Sequence, residues 1–124
     1  MHCKEFKYSD TTGAFFSDDT FVAVLPSDIL GETNLLDLLY DRLVFPGWFG
    51  FNWNALFDCL RDFSWIEEKK IILIHTSLPE LPPAKMRIYL EILFDAMNAW
   101  ETGGLHELDV VFPTSAKSEI EKLR

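Results

Sequence analysis

The chain has 124 residues, 48% of them apolar, which suits one compact domain with a real core and argues against intrinsic disorder. Its formal net charge of −9 argues against free nucleic acid as a direct ligand, because phosphate binding draws on Lys and Arg. The two cysteines, Cys3 and Cys59, form no CxxC pair, so their spacing indicates neither a zinc site nor a disulfide framework.

The N-terminus, "MHCKEFKYSD", has no signal-peptide h-region, and no apolar run is long enough to span a bilayer. A cytoplasmic, reduced protein with no membrane association is expected. Residues 4–16 read either as two short strands, "KEFKY" and "GAFF", around the "SDTTG" turn, or as a loosely packed arm. "TFVAVLP", residues 20–26, reads as a buried strand ended by proline.

Leu35, Leu38, Leu39 and Leu43 recur at helical spacing, with Thr33 or Asn34 as N-cap. This helix should stop near Val44, because Pro46 disfavours a helical Phe45. An aromatic loop follows, "FPGWFGF", in which Gly47 and Gly50 are expected to allow unusual dihedrals. A short helix then begins at Asn52 or Trp53 and runs to about Asp62, with Asn52 able to cap it.

"KKIILIHT" is a second strand, and its unbroken Ile-Ile-Leu-Ile suggests burial on both faces, as in a parallel sheet. "PPAKMRIYLEILFDAMNAWETGG" is the longest helix, with prolines at its start and glycines at its end. Met86, Leu90, Leu93, Met97 and Trp100 form its core stripe. "ELDVVFP" is a third strand, and the tail from Thr114 reads as a short polar helix. Helical crossovers between buried strands imply an α/β fold with a small three-stranded parallel sheet and a possible N-terminal addition. The expected organisation is one domain over residues 1–124: an extension (1–19), a core (20–113) and a tail (114–124).

No catalytic constellation can be assembled. His2, His75 and His106 have no metal-ligand spacing to each other or to the cysteines, and there is no phosphate loop and no GxSxG. The adjacent pairs Asp18-Asp19 and Glu67-Glu68 read as solvated turns. No metal or other cofactor is expected, and the protein is not expected to be an enzyme. A site built from distant residues is the remaining enzymatic reading, and it would require turnover by the protein alone.

The short helix carries two faces. Leu56, Cys59, Leu60 and Phe63 lie at i, i+3, i+4 and i+7, a core stripe. The opposite face carries Asn54, Phe57, Asp58 and Arg61, flanked by Asp62. An aromatic beside an aspartate on an outward face has the composition of a protein-binding hot spot. The competing reading tucks Phe57 under a neighbouring loop. In the preceding loop, Phe51 and Trp53 are the natural core plugs, while Trp48 and Phe49 are candidates to face out beside Phe57.

The segment "WFGFNWNALFDCLRDF", residues 48–63, resembles the signature of the barstar family, the intracellular inhibitors of ribonucleases. The leucine-rich helix before it and the strand, long helix and strand after it fit the same pattern over residues 20–113. The resemblance implies that this loop and helix cover a nuclease active site, with Asp58 entering the cationic pocket where substrate phosphate would bind. It makes Trp48, Phe49, Gly50, Asn54, Phe57, Asp58, Arg61 and Asp62 the partner-binding candidates. Asn54 stands where the family usually has a second aspartate, Phe57 and Phe63 replace frequent tryptophans, and Trp48 and Phe49 match two tyrosines. Acidic residues on the later helix also help in the family, and here that region offers Asp95 and Glu101. The partner implied is a cognate toxin, a basic ribonuclease, met by a monomeric immunity-type protein. The alternative is a barstar-like binding module whose partner is not a ribonuclease, or is a toxin of another activity. Residues 88–113 contain Glu91, Asp95, Glu101, Glu107 and Asp109 and no Lys or Arg, a charge pattern that speeds encounter with a basic partner.

Overall fold

The computed structural model describes residues 3–124, so His2 lies outside the described residues. Strand β1 (Lys7–Tyr8) is followed by a 3-10 turn (Gly13–Phe15), β2 (Thr20–Leu25), α1 (Gly31–Arg42), α2 (Trp53–Leu60) and β3 (Lys70–His75). Then come α3 (Pro83–Trp100), β4 (Glu107–Phe112), a second 3-10 turn (Thr114–Ala116) and α4 (Lys117–Leu123). The strands form one sheet in the order β1-β4-β3-β2, and all its pairings are parallel. The sheet therefore has four strands where three were expected. The added strand is two residues long, too short for any hydrophobic period to reveal it, and is defined only by its pairing with Val111 and Phe112.

The alternation of the strands assigns the two faces. Ala23, Leu25, Ile71, Leu73, Leu108, Val110 and Phe112 join the main core with residues of all four helices. Ile72, Ile74 and Val111 point the other way, and Val22, Val24 and Phe15 pack against them. Because β1 and β2 lie at opposite edges, the chain between them crosses this helix-free face, and Phe15 packs on it. The N-terminal extension is thus the cover of the second face, as its "GAFF" segment forms the 3-10 turn rather than a strand.

The extension also neutralises a buried charge. Asp109 is 1% exposed, and its carboxylate lies 2.5 Å from Lys4 Nζ, 2.8 Å from Lys7 Nζ and 3.4 Å from Lys70 Nζ. Burial pushes this carboxyl up, but hydrogen bonds and charges from Lys4 and Lys7 outweigh burial and hold it below its ordinary value. Phe6, also from the extension, sits edge-on to Phe112 at 5.2 Å. The extension and the tail interlock, with Arg124 bonded to Glu5 at 2.9 Å and Thr114 Oγ1 to Asp10 at 2.6 Å.

The expected helix stripes are observed. Leu56, Cys59 and Leu60 on α2 and Phe63 just after it are fully buried, as are Leu90, Leu93 and Met97 on α3, while Leu38 of α1 and Trp100 of α3 are only partly buried. Helix α1 begins earlier than Thr33 because Leu30 is held in a bridge to Glu80, and Asn34 Oδ1 reaches back to the Leu30 N–H at 2.9 Å.

Candidate functional site

The loop between α1 and α2 starts from a helix C-terminus closed by two backbone bonds, Phe45 N–H to Tyr40 O at 3.0 Å and Val44 N–H to Asp41 O at 3.4 Å. This is the glycine-type closure, but Val44 occupies its left-handed position at φ 55°. Phe51, just before α2, and Phe63, just after it, are left-handed too, at φ 53° and 48°. Three side-chain-bearing residues in a sparsely populated backbone region thus bracket the loop and helix. The loop glycines do not supply the unusual dihedrals expected of them. Gly47 has open space around it, while a Cβ on Gly50 would lie 3.3 Å from Asn52 Nδ2 and press on the capping side chain.

Aromatic packing holds the strained path. Phe49 is 3% exposed and packs on Phe45 and Phe51, each 4.8 Å away. Phe51 is 45% exposed and leans on Tyr40 at 5.0 Å. This reverses the expectation for the pair: Phe49 is the core plug and Phe51 faces out. Phe51 itself takes the left-handed backbone immediately before the Asn52 cap of α2. Trp48 is 60% exposed and packs edge-on against Trp65 at 6.4 Å, so its ring partner is Trp65.

Two indoles then fix the helix ends. Trp65 Nε1 donates to Leu43 O at 3.0 Å, at the end of α1, and Trp100 Nε1 donates to Leu60 O at 2.8 Å, at the end of α2. Each satisfies a terminal carbonyl that has no partner inside its helix. At the other end of α2, Asn52 Oδ1 accepts from Ala55 N–H at 2.8 Å, the expected cap.

On this mount the outward face of α2 presents Asn54, Asp58, Arg61 and Asp62, all exposed. Phe57 is half-buried: the Arg61 guanidinium lies over its ring at 3.9 Å, and Arg61 Nη2 donates to Asp58 Oδ1 at 3.1 Å. Asp62 Oδ1 accepts from the Ser64 N–H at 3.2 Å. Beneath the face, burial, with Asp62 and Asp58 adding to it, pushes the Cys59 thiol up to about 11, so it stays an unreactive thiol.

Beside this face runs a groove of about 280 Å³ between α2 and α3, lined by Trp53, Asn54, Phe57, Ile88, Glu91, Ile92 and Asp95. Asp95 therefore joins Asn54 and Phe57, whereas Glu101 lies 3.6 Å from Lys4 in the charge cluster around Asp109. Glu91 was read only as part of the acidic run of residues 88–113, and Ile88 and Ile92 went unread in the sequence. Their signal was available, since Ile88 and Ile92 lie one turn apart and outside the core stripe of α3. Among the described residues, neither Glu91 nor Asp95 has an ion-pair partner.

His75 is enclosed away from this surface. Its Nδ1 donates to Val111 O at 3.0 Å and its Nε2 accepts from the Tyr89 hydroxyl at 2.6 Å. Among the described residues no group of three or more His, Cys, Asp or Glu side chains is placed to hold a metal ion. Among them, too, no helix is long and apolar enough to cross a membrane.

The arrangement offers an exposed carboxylate on a rigid helix, a partly covered aromatic, and a groove with two unpaired carboxylates, the composition of a surface for a cationic protein partner. A family model described as Barstar (barnase inhibitor) matches residues 20–112. Comparison with curated proteins and with solved structures gave no match. The match spans most of the chain, from β2 to the end of β4, and includes the loop, α2 and the groove: the chain belongs to the barstar family.

Proposed function

We propose that this protein is an immunity-type inhibitor that binds a cognate toxin, a ribonuclease, and occludes its active site, without being an enzyme itself. The observation that carries the reading is Asp58, exposed on α2 at the position where the family pattern has its pocket-entering aspartate. A partner pocket lined by Arg or Lys desolvates that carboxylate and bonds it by charge-assisted hydrogen bonds. Asn54, Phe57, Arg61 and Asp62 surround it on the helix, Trp48 and Gly50 lie in the loop before it, and buried Phe49 serves as the plug that holds that loop. Glu91 and Asp95 extend the acidic surface onto α3 and favour a basic partner during encounter.

One observation favours a second reading. Asn54 is neutral where the family usually places a second aspartate, which fits a barstar-like module whose partner is not a ribonuclease. Co-purification from the native host, followed by a nuclease assay of the recovered partner with and without this protein, separates the two. Recovery of a ribonuclease that the protein silences supports inhibition. Recovery of a partner without nuclease activity overturns it in favour of the second reading.

A further inference from the structure

Among the described residues, four other than glycine are left-handed: Asp28, Val44, Phe51 and Phe63, at φ 63°, 55°, 53° and 48°. Two of them have a local reason. Aspartate tolerates this region through its short polar side chain, and Phe63 is fully buried, so its packing offsets the strain. Val44 and Phe51 have neither reason. They are 58% and 45% exposed, and a β-branched or bulky side chain is an outlier there. Gly50 and Asn52, of the residue types that take this backbone most readily, flank Phe51, yet the left-handed angle falls on the phenylalanine. Glycine at either strained position would relieve the backbone and leave no side chain at the surface.

The strained pair shares its loop with Trp48, which is 60% exposed. Residues 44–51 thus hold three of the seven large apolar side chains that the described residues leave exposed. Apolar exposure gathered in one segment marks an interaction surface, and backbone strain collects at such surfaces. The loop is continuous with the α2 face, because Phe51 directly precedes the Asn52 cap and Asn54 begins the outward side of the helix. Its lack of charge indicates what it meets. In a chain of net charge −9, residues 43–57 contain no Asp, Glu, Lys or Arg. A charged partner group laid on this stretch loses its water and gains no counter-charge. An apolar patch instead gains the burial of Val44, Trp48 and Phe51.

We propose that Val44 and Phe51, with Trp48, form an apolar contact for an uncharged, apolar patch of the toxin beside the pocket that takes Asp58, and that the loop carries its strain to keep these side chains at the surface. This inference rests on the reading of Asp58 given above. The probe is the ribonuclease that co-purifies with the protein from its host. Its binding to the wild type, Val44→Gly, Phe51→Asn and Asp58→Ala is measured by calorimetry at low and high salt and at several temperatures, with urea unfolding as the check that each is folded. Glycine and asparagine both suit a left-handed backbone, so the two loop variants keep the loop's path. Each is expected to weaken binding by about fivefold or more, equally at both salt concentrations, and to make the heat-capacity change of binding less negative. Wild-type affinity in either folded loop variant, or a loss that vanishes at high salt, overturns the proposal. If Asp58→Ala still weakens binding in that case, only the apolar contact falls. If Asp58→Ala also binds like the wild type, or if no ribonuclease is recovered, the reading of the face falls with it.

Discussion

Acidification from about pH 7 to about pH 4 is expected to weaken the fold through His75. Both ring nitrogens of this 1%-exposed side chain are committed, Nδ1 as donor to Val111 O and Nε2 as acceptor from Tyr89. A second proton would replace that acceptor with a donor facing a hydroxyl, in a site without water access. Burial accordingly lowers the pKa from 6.5 to about 4, despite the opposing effect of the Val111 bond. The unfolded chain takes up its proton near 6.5, and the folded chain refuses it until about 4. Stability from this group is complete above the unfolded value, falls as pH drops between the two, and loses nothing more below the lower one. At about 1.4 kcal/mol per pKa unit, the loss is ~3 kcal/mol, a large part of the about 5–15 kcal/mol that holds most domains folded. Urea unfolding across this range should show the wild type losing ~3 kcal/mol more than His75→Gln, which keeps a donor and an acceptor but does not titrate. The His75 ring protons, followed by NMR, should not titrate above about pH 5. A folded-state titration near the ordinary histidine value, or a wild-type-to-Gln difference independent of pH, would refute the reasoning.

Further outcomes follow from the mount of α2. Trp100→Phe keeps a ring to stack on Phe63 but removes the donor to Leu60 O. It should cost about 1–2 kcal/mol in urea unfolding, the cost of leaving a partly buried carbonyl unpaired. Val44→Gly should raise stability by ~1 kcal/mol, because Val44 is 58% exposed and left-handed, so relief of strain outweighs the small burial lost. A thermal melt or urea titration checks it, and a destabilised variant would show that the strain is not there.

The period-coded features were legible in the sequence. Leu56, Cys59, Leu60 and Phe63 gave away the buried side of α2, and "KKIILIH" gave away a central parallel strand, because apolar spacing reports burial directly. The Asn52 cap was legible for a local reason as well, since its side chain bonds only three residues ahead. What escaped depends on contacts distant in sequence or on single backbone angles. Strand β1 exists because Lys7 and Tyr8 meet a strand about a hundred residues later. Phe49 and Phe51 exchanged places in a loop whose path, with a positive φ at Phe51, composition does not encode. The groove escaped because its lining comes from two helices whose relative placement is tertiary, and it settles why Asp95, not Glu101, stands beside Asn54.

The central claim is that Asp58 delivers the decisive charge to a cationic pocket. The direct measurement is the affinity of the wild type and of Asp58→Ala for the toxin recovered with the protein from its host, with unfolding curves for both. Asp58 is 64% exposed and outside the core, so stability should be unchanged within the error of the curves. Loss of one partner from a desolvated charge pair should weaken binding by about 10²–10³-fold. Equal affinities for the two proteins would contradict the account.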